Sequence, residues 1–212
     1  MKNSKPPLAL RVFHLFLWLS VLAAMAYLVV PSLLQRMPPP PAVRVEAPAL
    51  GPGVSLNMPF ELVDQNGRTV TEEDFQGIPV AWFYGFTFCP DVCPTALSEM
   101  SQQLETLGPD ADRLRMVFVS VDPERDNVAV MKQYVDYFDP RIIGLTGSLD
   151  AVTTMAKSRF IYFQKVPLEG DDYTMDHSAN IYLTDAEGDF VGTLDDKEPF
   201  DIRLGKVRKL IG

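Results

Sequence analysis

Cys89 and Cys93 are the only thiols in the 212-residue chain, and three residues separate them in the stretch FTFCPDVCP, residues 86–94. Such a pair can staple a loop, exchange electrons as a dithiol, or hold a metal ion. A disulfide across so short a segment removes little chain entropy, and a domain of this length has little need of a staple. Just behind the pair, Ala96, Leu97, Met100 and Leu104 recur at helical spacing, which predicts a helix from about Pro94 to Leu107. The unpaired N–H groups and dipole at a helix start favour thiolates. Thiolates serve both redox exchange and metal binding, so position alone leaves those two readings open.

Spacing and a third residue bear on the choice. Dithiol oxidoreductases of the thioredoxin type use Cys-x-x-Cys, one residue fewer than here. Cysteines at i and i+4 share a face if the turn is helical, so they can clasp one ion as well as pair with each other. His177, in YTMDHSAN at 173–180, is the only histidine besides His14. Alone it reads as a hydrogen-bonded loop imidazole; beside a reactive cysteine pair it becomes a candidate ligand. Structural zinc takes four ligands and catalytic zinc three plus water. Two sulfurs and one imidazole suit Cu(I), and Cu(II) can be held with a further weak ligand. Asp91, inside the motif, and Asp176, beside His177, are candidates for the outer shell. Each reads equally well as a helix cap or a solvated carboxylate.

The elements that must bring these residues together follow from periodicity. A hairpin is expected around Asn66-Gly67, a strong turn signal between short strands. Residues 78–84 form a nearly continuous apolar run, as in a strand buried on both faces, and 114–121 form a second. Asn127 and Ser148 are placed to cap helices reaching about Phe138 and Phe160, with a short strand at 142–145 between them. A second hairpin, 181–183 with 190–194, precedes a closing helix that Pro199 opens. Strands alternating with helices predict an α/β fold, a mixed sheet flanked by helices with hairpins added early and late. A cysteine pair between the first buried strand and the next helix is the thioredoxin-like arrangement.

The N-terminus carries a different signal. Of the 19 residues 12–30, only His14, Trp18, Ser20 and Tyr27 have polar atoms in their side chains. As a helix they would reach about 28 Å, the thickness of a bilayer core. Lys2, Lys5 and Arg11 lie ahead of the run, so the bias of positive charge sets residues 1–11 in the cytoplasm and the chain beyond 12–34 outside. A cleaved signal peptide ending at Ala24-Met25-Ala26 is the competing reading. No Arg- and Ser-rich presequence precedes the run, so a bacterial inner-membrane anchor with a periplasmic domain is the simplest assignment. His14 then reads as an imidazole tolerated near the interface. Residues 35–55, with four consecutive prolines at 38–41, form a semi-rigid linker, and 56–212 the folded domain. Beyond Arg36 the chain has 15 basic against 28 acidic residues, a net charge of −13, which argues against a nucleic-acid partner.

Three stretches together resemble the signatures of the Sco/SenC proteins: TFCPDVCP at 87–94, VDPERD at 121–126 and DHS at 176–178. The resemblance extends over the folded domain and the single N-terminal anchor. It implies a copper-binding thioredoxin-like protein that helps assemble the binuclear copper centre of cytochrome c oxidase. Cys89, Cys93 and His177 match the family's copper ligands, and Asp91 a motif aspartate. Asp122, Pro123 and Arg125 match a segment read here as a structural turn. The expected partners are the oxidase's copper-binding subunit and other periplasmic copper carriers or thiol reductants. A thiol–disulfide oxidoreductase that reduces the subunit's cysteines is the alternative. A peroxidase is a weaker third, since no arginine in the sequence is placed to activate Cys89.

Overall fold

Every residue of β3 (Val80–Gly85) is buried, which is why its sequence, VAWFYG, shows no alternation: both faces of this central strand are covered. The computed structural model describes residues 16–25, 27, 51–168 and 170–212. Around β3 a seven-stranded mixed sheet forms in the order β2-β1-β5-β4-β3-β8-β9. Its members are β1 (Glu61–Asp64), β2 (Thr69–Thr71), β4 (Arg115–Ser120), β5 (Ile142–Thr146), β8 (Ile181–Thr184) and β9 (Phe190–Leu194). The pairs β3–β4 and β4–β5 are parallel; β1–β2, β1–β5, β3–β8 and β8–β9 are antiparallel.

Parallel neighbours need crossovers, and helices α1 (Val92–Leu107) and α2 (Val128–Phe138) supply them. Helix α1 buries Cys93, Ala96, Leu97, Met100 and Leu104. Asn127 caps α2 by accepting from the N–H groups of Ala129 and Val130. Ser148 does the same for α3 (Leu149–Ser158) by accepting from Ala151. Helix α4 (Phe200–Ile211) follows Pro199 and closes the chain. The early turn forms at Asn66-Gly67, with Gly67 at φ 83°, where a side chain would be strained.

Two differences from the sequence reading matter for the site. Helix α1 begins at Val92, not Pro94, so Cys93 stands in its first turn while Cys89 lies in the turn ahead of it. Pro94 fits there because first-turn N–H groups have no helical partner to lose. Secondly, the segment read as a loop before β8 contains a hairpin. Strands β6 (Phe163–Pro167) and β7 (Tyr173–His177) pair antiparallel as a separate two-stranded sheet. His177 is the last residue of β7, opposite Phe163.

Of the expected membrane span, residues 12–15, 26 and 28–34 lie outside the described residues, as do residues 35–50 of the linker. Residues 16–25 are helical and exposed. Among the described residues no helix is long and apolar enough to cross a membrane.

Candidate metal centre

The parallel strands end where β3 hands over to the cysteine loop. Gly85 closes β3, and Val121 donates its N–H to the Gly85 carbonyl at 2.8 Å, so the loops after β3 and β4 leave the sheet side by side. The cysteine loop is then tied to β4 through Asp126. That buried carboxylate accepts from the Thr87 N–H at 3.0 Å, the Thr87 hydroxyl at 2.6 Å and the Ser120 hydroxyl at 2.6 Å. Burial raises the pKa of Asp126, and the hydrogen bonds from Ser120 and Thr87 work against that shift.

Cys89 Sγ, Cys93 Sγ and one ring nitrogen of His177 all lie within 4.8 Å of one another. Both cysteines are free thiols; Cys93 is fully buried and Cys89 half-buried. The Cys93 N–H points at Cys89 Sγ at 3.4 Å, so the sulfur serves an orphan donor of the helix start. Cys89 is held well below the usual thiol range. Hydrogen bonding from the Cys93 thiol is the main cause, aided by the N–H groups of Asp91 and Cys93, while burial opposes it. Cys93 moves the other way, raised by its hydrogen bond to Cys89, by burial and by the charge on Cys89. The pair therefore shares one proton, kept on the inner sulfur, with the anion on the outer one.

His177 Nδ1 lies 3.0 Å from the carbonyl oxygen of Ser178. A carbonyl only accepts, so Nδ1 carries the hydrogen and donates. In the neutral ring Nε2 then presents its lone pair, and it faces Cys93 Sγ at 3.5 Å. Ser178 is itself fixed, its N–H donating to the Tyr162 carbonyl at 3.0 Å. Phe83 and Phe86 meet the imidazole edge-on, with centroids 6.2 and 5.8 Å away. The site thus has one half-open sulfur, one buried sulfur and one nitrogen oriented by a carbonyl.

Neither candidate carboxylate makes a side-chain contact with the three ligand side chains. Asp91 occupies the N-cap position of α1 without a side-chain cap bond; only its backbone supports Cys89. Asp176 is exposed, because neighbouring residues of a strand point to opposite faces. The Ser178 carbonyl takes the place beside the imidazole that the sequence offered to Asp176. Sequence reasoning missed Asp126 and Ser120 as supports of the loop and read Arg125 only as part of a structural turn. Their signal was the polar cluster at 120–126, just after a buried strand.

A thioredoxin-like sheet with a Cys-x-x-x-Cys loop at the end of its central strand, faced by a strand-borne histidine, defines a class of thiol and soft-metal proteins. The sequence model of the SCO1/SenC family matches residues 49–212, and the chain belongs to that family. ScoI of Bradyrhizobium japonicum, solved with copper bound, is 43% identical with a TM-score of 0.69, covering 74% of this chain and 99% of that one. Yeast Sco1 with copper bound is 36% identical with a TM-score of 0.67, covering 74% and 88%. The mitochondrial SCO2 homologue of Mus musculus is 42% identical over 134 residues, 62% of this chain and 52% of that protein. The chain spans about half the length of the curated relatives it matches.

Proposed function

We propose that this chain is a membrane-anchored copper metallochaperone whose site is Cys89, Cys93 and His177, and that it delivers copper to the binuclear copper centre of cytochrome c oxidase. The observation that carries the reading is the convergence of two sulfurs and one imidazole nitrogen within 4.8 Å. That donor set fits Cu(I), which favours soft ligands in low coordination. The copper-bound relatives support copper as the metal. Cys89 offers a thiolate at the half-open side, and Cys93 releases its remaining proton when the ion enters, so loading expels about one proton per ion near neutral pH. Cargo leaves from the same side: a partner's ligand replaces Cys89 first, while Cys93 and His177 still hold the ion from within. The recipient is the oxidase's copper-binding subunit, and periplasmic copper carriers or thiol reductants supply the site. Residues 12–34 anchor the chain in the inner membrane and leave 56–212 in the periplasm; the exposed Phe16, Trp18 and Leu22 of the described helix support this.

A second role is favoured by one observation, the adjacent pair of free thiols with Cys89 on the accessible side and Cys93 buried behind it. Attack by the Cys89 thiolate on a partner disulfide, followed by closure with Cys93, would return the partner's two thiols and leave a Cys89–Cys93 disulfide. One experiment separates the roles. Copper-loaded chain is mixed with the metal-free copper-binding domain of the oxidase subunit, and copper is followed after separation. In parallel, reduced chain is mixed with the disulfide form of that domain, and thiols are counted. The chaperone reading expects copper to move, with loading impaired in His177→Ala. Copper that stays put while thiols exchange equally in wild type and His177→Ala would replace it with the reductase.

A further inference from the structure

Strands β6 and β7 share no backbone ladder with the seven-stranded sheet, yet β7 carries His177. A lone two-stranded hairpin is marginal in water, so side chains must fix where it stands. Met175 of β7 is buried in the core, and a polar fastening lies at Tyr173, four residues and about 13 Å along the strand from His177. Arg125 Nη1 donates to the Tyr173 carbonyl at 3.0 Å, and the Tyr173 hydroxyl donates to Asp122 Oδ1 at 2.8 Å. Arg125 Nε closes the triangle on Asp122 Oδ2 at 2.5 Å. The guanidinium also lies 3.8 Å from the centroid of the Tyr173 ring. Lys165 of β6 adds a second tie, with Nζ 3.7 Å from that ring and 2.6 Å from Glu124.

The same guanidinium reaches the other arm of the site. It lies 4.9 Å from the ring of Phe88, the neighbour of Cys89, and 5.9 Å from that of Phe86, which packs against His177. Its partner Asp122 is buried, so this ion pair is poorly screened and its loss would strand a carboxylate. One side chain therefore touches both the cysteine loop and the hairpin that presents the third ligand.

We propose that Arg125 is a positioning residue: with Asp122 and Tyr173 it clamps the β6–β7 hairpin to the cysteine loop and thereby sets His177 against the cysteine pair. The proposal rests on the copper reading above. Outer partners that hold a ligand in place typically change metal affinity by about 10–100-fold, and a loss in that range is expected here.

The test uses full-length chain in detergent, as wild type, Arg125→Gln and Tyr173→Phe; the second variant keeps the ring and removes only the hydroxyl. X-ray absorption of the Cu(I)-loaded protein should find two sulfur neighbours in all three and the nitrogen neighbour in wild type alone. In metal-free protein, amides of 163–177 should exchange about tenfold or more faster in both variants, with β3 and β4 unchanged. A folded variant that keeps the nitrogen at wild-type occupancy overturns the clamp. If Arg125→Gln does not fold, Tyr173→Phe decides. If wild type takes up no copper, the copper reading fails by itself; hairpin exchange then decides, and equal protection in all three proteins overturns the clamp.

Discussion

Gly85 lies directly against Cys93, and a single methyl group there should disturb the site from below. A Cβ on Gly85 would stand 2.6 Å from Cys93 Sγ, 2.9 Å from Phe118 Cε2 and 3.3 Å from Phe83 Cε1. Ordinary contacts need roughly 3.5–4.0 Å, so the sulfur must yield by about 1 Å. It has no free side to yield to, since Cys93, Phe118 and Phe83 are fully buried. Overpacking of this kind costs about 1–3 kcal/mol, which for a domain of this size lowers Tm by roughly 2–12 °C. The same shift moves Cys93 Sγ relative to His177 Nε2, now 3.5 Å away, and should weaken Cu(I) binding about tenfold or more, near 1.4 kcal/mol. Thermal unfolding of the reduced, metal-free chain reads the first effect, and competition with a chromophoric Cu(I) chelator reads the second. Gly192→Ala in β9, where an added Cβ meets nothing within 4 Å, is the control and should change neither. If Gly85→Ala melts and competes like wild type, the packing argument for Cys93 is refuted.

Asp126→Ala leaves the half-buried Thr87 N–H and the buried Ser120 hydroxyl without their acceptor. A loss of about 3 kcal/mol and a Tm lower by roughly 6–12 °C are expected; an unchanged melt would deny Asp126 its anchoring role. Because Cys89 is depressed in the folded chain, it stays ionised in a window where the unfolded chain, near the usual 8.5, has taken up a proton. Its contribution to stability is thus full above the unfolded value and is lost as pH falls through the folded one. Thiolate absorbance at 240 nm should persist in reduced wild type at about pH 6 and vanish in Cys89→Ser or in denaturant. A folded-state midpoint between 8 and 9 would contradict the shared-proton arrangement of the pair.

Much of this architecture is legible because its causes are local. The caps at Asn127 and Ser148 are side chain to backbone contacts within three residues, and the apolar run of β3 records burial on both faces. The cysteine pair is equally local. His177 is 84 residues from Cys93, and only a thioredoxin-like topology brings the two within reach. What stayed hidden has no local code. The strands FQKVP and YTMDH are half-exposed, carry proline and charge, and alternate weakly. Their placement against the cysteine loop depends on Arg125 and Asp122 meeting Tyr173 from about 50 positions away. Without that hairpin, the strand alternation that turns Asp176 away from the ring could not be read. The earlier start of α1 is a similar case, since a proline in the first turn is as compatible with a helix at Val92 as with one at Pro94.

The central claim, one copper site built from three named side chains, is tested most directly by anaerobic Cu(I) titration of the reduced full-length chain against a competing chelator. Wild type should hold one ion per chain. Cys89→Ser and Cys93→Ser should lose it, and His177→Ala should hold it more weakly by about tenfold or more. No uptake by wild type, or equal uptake by all four proteins, would contradict the account.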